Sequence, residues 1–168
     1  MRRSKEISAG LLAFRHGDGL EVLLAHPGGP FWAKKDAGVW TIPKGLVAAN
    51  EDLITAARRE FTEETNLTAR VDTTGQTIAL APVNQKSGKA VHAFGFEADF
   101  DLSRFASNTF EIEWPPKSGQ RKSFPEVDRV AYFALPVAMI KILPYQQPFL
   151  RELEKRLWLN TAWLKRLG

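Results

Sequence analysis

Between Gly45 and Leu67 the chain reads GLVAANEDLITAARREFTEETNL, with Arg59, Glu60, Glu63 and Glu64 crowded near its end. On a helix, residues three and four apart share a face. Glu60, Glu63 and Glu64 are therefore expected to bring their carboxylates onto one patch. Like charges so placed repel by a few tenths of a kcal/mol per pair, which calls for a cation between them. Carboxylate oxygens are hard donors and suit Mg²⁺ or Mn²⁺ better than zinc or copper. Such a patch is fitted to hold divalent metal against phosphate.

The helix that carries the acids must also place them. At about 100° per residue, Leu53, Ile54, Ala57 and Phe61 form an apolar stripe, and the glutamates lie about a quarter turn from it. That position suits a cleft wall. A solvated acidic face on an ordinary amphipathic helix is the competing reading, and the residues upstream argue against it.

Gly45, Glu51, Arg59, Glu60, Glu63 and Glu64, with Phe61 and Leu67 at bulky apolar positions, resemble the Nudix box of diphosphate hydrolases, G-x5-E-x7-R-E-U-x-E-E-x-G-U. Six outright matches at ordinary residue usage have a chance on the order of 10⁻⁷ per window, so coincidence is not a serious competitor. Asn66 stands where the family has Gly. A left-handed residue commonly ends a helix, Gly best and Asn next, so Asn66 is expected as a cap. Gly45 lets the backbone approach phosphate or metal. Glu51 reads either as an acid favoured by the helix dipole or, as the resemblance implies, as the partner that orients Arg59; the second is preferred. Arg59 then ties loop to helix through bidentate bonds. The resemblance further implies metal coordination by Glu60, Glu63 and Glu64 with help from the Gly45 carbonyl, one carboxylate also serving as general base toward water.

Two features outside the box extend the likeness. Trp40-Thr41-Ile42-Pro43-Lys44-Gly45 resembles the W-x-x-P-K-G lead-in of Nudix branches that cleave diadenosine polyphosphates and diphosphoinositol polyphosphates. Lys44 would neutralise a polyphosphate oxygen as a point charge, or is simply a surface lysine, and Pro43 stiffens the loop. In FPEVDRVAYF, Glu126 precedes Tyr132 by a spacing similar to that of the family's extra metal-binding or base glutamate. Asp128 competes for that role. So do Glu111 and Glu113, although their alternation with Phe110, Ile112 and Trp114 fits the polar face of a strand.

The remaining elements are those of an α/β chain. Strands are expected over 7–14 and 20–26 around the turn Arg15-His16-Gly17-Asp18-Gly19, then over 40–44, 77–83, 90–98 and 130–133. Helices are expected over 52–65 and 137–142, with a last one starting near Pro148. The segment 103–125 reads as irregular, because Pro115, Pro116 and Gly119 interrupt it. The order resembles the Nudix fold, a mixed β-sheet sandwiched between α-helices, in a single domain over 1–168.

Composition excludes several classes. There are 168 residues, 44% hydrophobic and 25% charged, ordinary for one globular domain. The sequence contains no cysteine, which removes disulfides, thiolate catalysis and zinc ribbons, and with them the isoprenoid-diphosphate isomerase pattern that shares the fold. No apolar run approaches the 18 or so residues of a membrane span, and no signal core follows the charged start, so a soluble cytoplasmic protein is expected. A net charge of +4 and a pI near 9.5 agree with an anionic ligand. No RNA-binding module is evident, so a nucleic-acid partner is not expected; a homodimer is left open.

For the substrate, Lys44, Lys35, Lys86 and Trp40 are the chosen contacts, with Lys34, Lys89 and Arg121 as further cations. Phe31, Trp32, Trp114 and Tyr145 join Trp40 as rings able to stack on a base. Trp158, Trp163, Leu157, Leu159 and Leu164 read as core or interface of the last helix. The expected activity is a Mg²⁺- or Mn²⁺-dependent hydrolysis of the diphosphate linkage in a nucleoside diphosphate joined to another group, by water attack on phosphorus. Dinucleoside polyphosphates come first as substrate, then nucleoside triphosphates and nucleotide sugars. The alternative is a catalytically weak Nudix domain acting as a nucleotide sensor or protein-interaction module.

Overall fold

The computed structural model describes residues 5–70 and 77–166. Its strands are β1 (Ile7–His16), β2 (Leu20–Pro27), β3 (Lys44–Leu46), β4 (Thr77–Asn84), β5 (Ala90–Glu97), β6 (Thr109–Glu113), β7 (Arg121–Pro125) and β8 (Val127–Ala134). Its helices are α1 (Leu53–Thr65), α2 (Leu135–Lys141) and α3 (Gln147–Arg166). The main sheet runs β4-β5-β1-β2-β8, with β3 also paired to β1. It is mixed, because β1 lies parallel to β5 and antiparallel to β2 and β3.

Alternation along β1 assigns one set of side chains to each layer. Ala9, Leu11 and Ala13 pack with Ala56, Ala57 and Phe61 of α1. Leu12 and Phe14 pack with Ala138 of α2 and with Phe149, Leu150 and Leu153 of α3. Both faces of β1 are thus covered, and the strand reads as a nearly unbroken apolar run, as strands buried on both sides do. Phe61 is fully buried, and burying a side chain of that size contributes about 1.5–3 kcal/mol. The same contacts fix the rotation of α1 and therefore the direction of its acids.

β1 divides its partners. Phe14 to His16 pair with β2, whereas Ser8 to Gly10 pair with β3. The two partners diverge, and the segment ahead of β3 lies between them, with Thr41 bridged to Ala25 and the Leu11 N–H donating to the Pro43 carbonyl at 3.2 Å. Thr41, Ile42 and the fully buried Gln146 close this region: Gln146 Oε1 accepts from the Ile42 N–H at 3.0 Å, and its Nε2 donates to Thr41 Oγ1 at 2.8 Å.

Three expectations change. The strand anticipated over 40–44 is two isolated bridges, Thr41 to Ala25 and Trp40 to Ile142, and a ladder begins only at Lys44, because Pro43 has no N–H to give. The segment 103–125 is not irregular throughout. β6 and β7 form an antiparallel hairpin in register from Thr109 with Pro125 to Glu113 with Arg121, and the prolines and Gly119 occupy its turn. Trp158 and Leu159 are not core, since they are 68% and 46% exposed, while Leu157 packs against the α3 side of the sheet. The side chains of Trp163 and Leu164 lie outside the described residues. Among the described residues, no helix is long and apolar enough to cross a membrane.

Candidate active site

α1 is fixed at both ends. Asp52 Oδ1 accepts the Thr55 N–H at 2.8 Å, and Asn66 closes the helix in the left-handed region at φ 59°, its N–H donating to the Thr62 carbonyl. The second cap is the one anticipated for an Asn in a Gly position. Its Nδ2 also donates to the Arg104 carbonyl at 3.1 Å, which ties the helix end to the segment leading toward β6.

Arg59 is the hub of the site. Its Nε and Nη2 donate to the two oxygens of Glu51, each at 2.9 Å, and Nη2 also donates to the Leu46 carbonyl at 2.9 Å. Nη1 reaches Glu60 Oε1 at 2.7 Å and Glu63 Oε2 at 3.3 Å. The fork therefore binds the Gly45 loop to the helix, the geometry for which guanidinium is suited. Hydrogen bonds from Arg59, then from the Ala48 N–H, hold the Glu51 carboxyl down at about 2. Glu51, then Glu60, raises Arg59 above its ordinary value.

Gly45 is required by close approach. A Cβ built there would overlap the carboxylate of Glu60, so any side chain at 45 would displace the acid. Glu64 lies deeper and accepts the Lys44 N–H at 3.2 Å. Burial, then the charge of Glu60, pushes Glu64 up to about 8, against the pull of the Lys44 N–H and ammonium. Glu126 arrives from the loop between β7 and β8. Partial burial, then the charges of Glu60 and Glu63, raises it above the usual carboxylate range, opposed by a hydrogen bond from Asn108.

Asn108 is a supporting residue without a signal in the sequence, since it lies in a stretch expected to be irregular. Its N–H donates to the Glu63 carbonyl at 3.2 Å, and its carbonyl accepts the Glu126 N–H at 2.9 Å. It thus joins the end of α1 to Glu126, between β7 and β8. Asp128 is engaged elsewhere, 2.8 Å from His26 Nδ1, and Glu111 and Glu113 lie on the exposed face of β6.

Among the described residues, no group of three or more acids or histidines converges closely enough to hold a metal ion as it stands. The expected single patch is only partly formed, because Arg59 draws Glu60 and Glu63 to itself while Glu64 turns to the Lys44 N–H. The donor set still fits a hard dication. It is all oxygen, the charge of Glu60 falls on both Glu64 and Glu126, and Gly45 leaves the Glu60 carboxylate room beside the backbone.

The proposed substrate contacts separate. Lys44 sits beside Glu64. Lys35 is exposed with its ammonium 5.0 Å from the centre of the Trp32 ring, and Lys86 is exposed in the turn between β4 and β5. Trp40 is a correction: it is 3% exposed, its Nε1 donates to Asp36 at 2.8 Å, and its ring packs edge-on against His26 and Phe133. It has no free face for a base. Phe31 and Trp32, by contrast, are 61% and 38% exposed.

A mixed sheet between helices, with an acid-bearing helix entered through a glycine loop, is the architecture of the Nudix hydrolases. A family profile described as the NUDIX domain matches residues 5–153, and the chain belongs to that family, a class of pyrophosphohydrolases. Its fold is similar to that of a C. elegans Ap4A hydrolase in a binary complex, at 24% identity over 89% of this chain and 97% of that one, with a TM-score of 0.59. It is similar also to the NUDIX domain of Shewanella oneidensis NrtR complexed with ADP ribose, at 16% identity over 92% and 90% of the two chains, with a TM-score of 0.62. The MutT protein from Methanosarcina mazei Go1 matches at 20% identity over 93% and 97%, with a TM-score of 0.57. No curated protein matches the chain.

Proposed function

We propose that the protein hydrolyses the diphosphate linkage of a nucleoside diphosphate joined to a second group, with a dinucleoside polyphosphate as first substrate. The observation that carries this reading is the approach of Glu126, from a separate element, to the charges of Glu60, Glu63 and Glu64. Carboxylates are not gathered this way for stability, because each added charge raises the cost of ionising the others.

Glu60, Glu63, Glu64 and Glu126, with the Gly45 carbonyl, would hold Mg²⁺ or Mn²⁺. Divalent metal supplies positive charge for the diphosphate oxygens and acidifies water for attack on phosphorus. Arg59 and Glu51 act as positioning residues, fixing the Gly45 loop against α1. Lys44 offers its ammonium to the phosphate chain beside Glu64. A carboxylate of high proton affinity in this group, Glu64 or Glu126, is placed to take the proton from the attacking water. Lys44 and the likeness to the C. elegans Ap4A hydrolase fold support the dinucleoside choice.

The test is turnover of a nucleotide panel with Mn²⁺ in water labelled with ¹⁸O, with products identified by mass. A mononucleotide and a phosphorylated partner, one carrying a single ¹⁸O on phosphorus, are the expected products. Unlabelled products, or none from any compound with an internal diphosphate, would overturn the reading.

A further inference from the structure

The loop 28–38 and the β6–β7 hairpin carry large rings that the core does not use. Phe31 and Trp32 are 61% and 38% exposed, although the loop bearing them is held firmly. The Gly28 N–H donates to the Glu126 carbonyl at 2.9 Å, and a Cβ at Gly28 would overlap the Pro125 carbonyl oxygen. The Lys35 N–H donates to the Trp32 carbonyl at 2.9 Å. The Lys35 carbonyl in turn lies 2.6 Å from Nε2 of His26, a fully buried ring. The loop is therefore built, and its rings face water by construction.

The hairpin meets this loop. Phe110 lies against Gly29, and Trp114 packs edge-to-face on Phe31 with centroids 5.4 Å apart. Two separate elements thus present aromatic rings together. Both are fastened to Glu126: the loop through the Gly28 N–H, the hairpin because β7 ends at Pro125. The Lys35 ammonium lies over the Trp32 ring, which puts a cation beside the aromatic surface.

We propose that Phe31, Trp32 and Trp114 form a stacking platform for a nucleobase of the substrate, with Lys35 directed at its phosphates. The proposal rests on the nucleotide reading above and names where the base sits. A nucleotide joins a planar ring to an anionic chain, and this surface joins exposed rings to a cation on a loop whose backbone is bonded to that of Glu126. Aromatic rings stack on any base, so the platform selects for a base over none and discriminates weakly among bases.

The test uses two probes that resist hydrolysis, α,β-methylene-ADP and methylenediphosphonate, which share a phosphorus chain and differ in the nucleoside. In calorimetric titrations with Mg²⁺, the wild type should bind the nucleotide probe more tightly than the diphosphonate. Phe31→Ala and Trp32→Ala, both at exposed positions, should each weaken the nucleotide probe roughly tenfold and leave the diphosphonate unchanged. Trp32→Phe, which keeps a ring, should recover most of the loss. Variants that bind α,β-methylene-ADP like the wild type, or that lose both probes equally, would overturn the platform. So would a wild type indifferent to the nucleoside, or variants that change only self-association in sedimentation. Absence of turnover alongside an intact nucleoside preference would instead defeat the hydrolase reading alone.

Discussion

Around α1, the charged groups facing the Gly45 loop are held by partners: Arg59 engages Glu51, Glu60 and Glu63, and Glu64 accepts the Lys44 backbone N–H. The loop 28–38 and the β6–β7 hairpin follow the opposite rule, leaving Phe31 and Trp32 open to water on a backbone that is itself tied down. The two regions touch at Glu126. The contrast separates the tasks of the molecule. One region stores charge at close quarters, where small displacements matter, and the other leaves aromatic rings open to water.

Changes at the first region should have large effects on turnover and little effect on nucleoside preference. Gly45→Ala tests this most severely. Its Cβ overlaps the Glu60 carboxylate, and a displacement of about 1 Å costs about 100-fold in rate. The expected result is a fall of about that size in kcat, with the preference for α,β-methylene-ADP over methylenediphosphonate retained. Loss of that preference would join the two regions into one.

Arg59→Lys comes next. The ammonium replaces a fork that grips Glu51 with two bonds and Leu46 with a third. Partial exposure and screening limit the loss to about 1 kcal/mol, read as a lower midpoint in urea unfolding. A larger effect on kcat than on stability would show that the clamp serves the geometry of the Gly45 loop more than the fold.

The smallest effect concerns pH. Glu64 holds its proton up to about 8 in the folded chain, whereas an unfolded glutamate releases it near about 4.3. Between these values the folded state binds more protons, so without metal the stability contributed by Glu64 is greatest below the lower value. It falls as pH rises, then levels off above about 8. Glu51 behaves in the opposite sense. Its carboxyl is held down at about 2, so its contribution is present above the ordinary carboxylate range and is lost in acid. Melting temperatures from pH 5 to 9 in EDTA should decline through the Glu64 window, and Mn²⁺ should flatten the decline by favouring the ionised form. A rise with pH in EDTA would contradict this placement of Glu64.

What the sequence revealed divides along the same line. The spacing within α1 was legible because helix geometry is local and fixed, and so the cap at Asn66 and the adjacency of Arg59 to its acids could be read directly. Family and fold were legible for the same reason. The hairpin at 109–125 was not, because prolines and a glycine that break one element also build the turn of another. Trp40 was misread as a contact because a ring's exposure is set by distant partners, here His26 and Phe133. Spacing alone could not choose between Glu126 and Asp128. Only the fold turns Asp128 to His26 and Glu126 toward the charges of α1.

The central claim is that the carboxylates of α1 and Glu126 work together on a diphosphate with divalent metal. It is tested most directly by turnover of diadenosine tetraphosphate at saturating Mn²⁺ for wild type, Glu64→Gln and Glu126→Gln, each variant first shown folded by its melting curve. The account predicts active wild type, loss of activity in EDTA, and a fall in kcat of about 100- to 10,000-fold for Glu64→Gln, with a smaller fall for Glu126→Gln. Equal turnover by all three proteins, or full activity in EDTA, would contradict it.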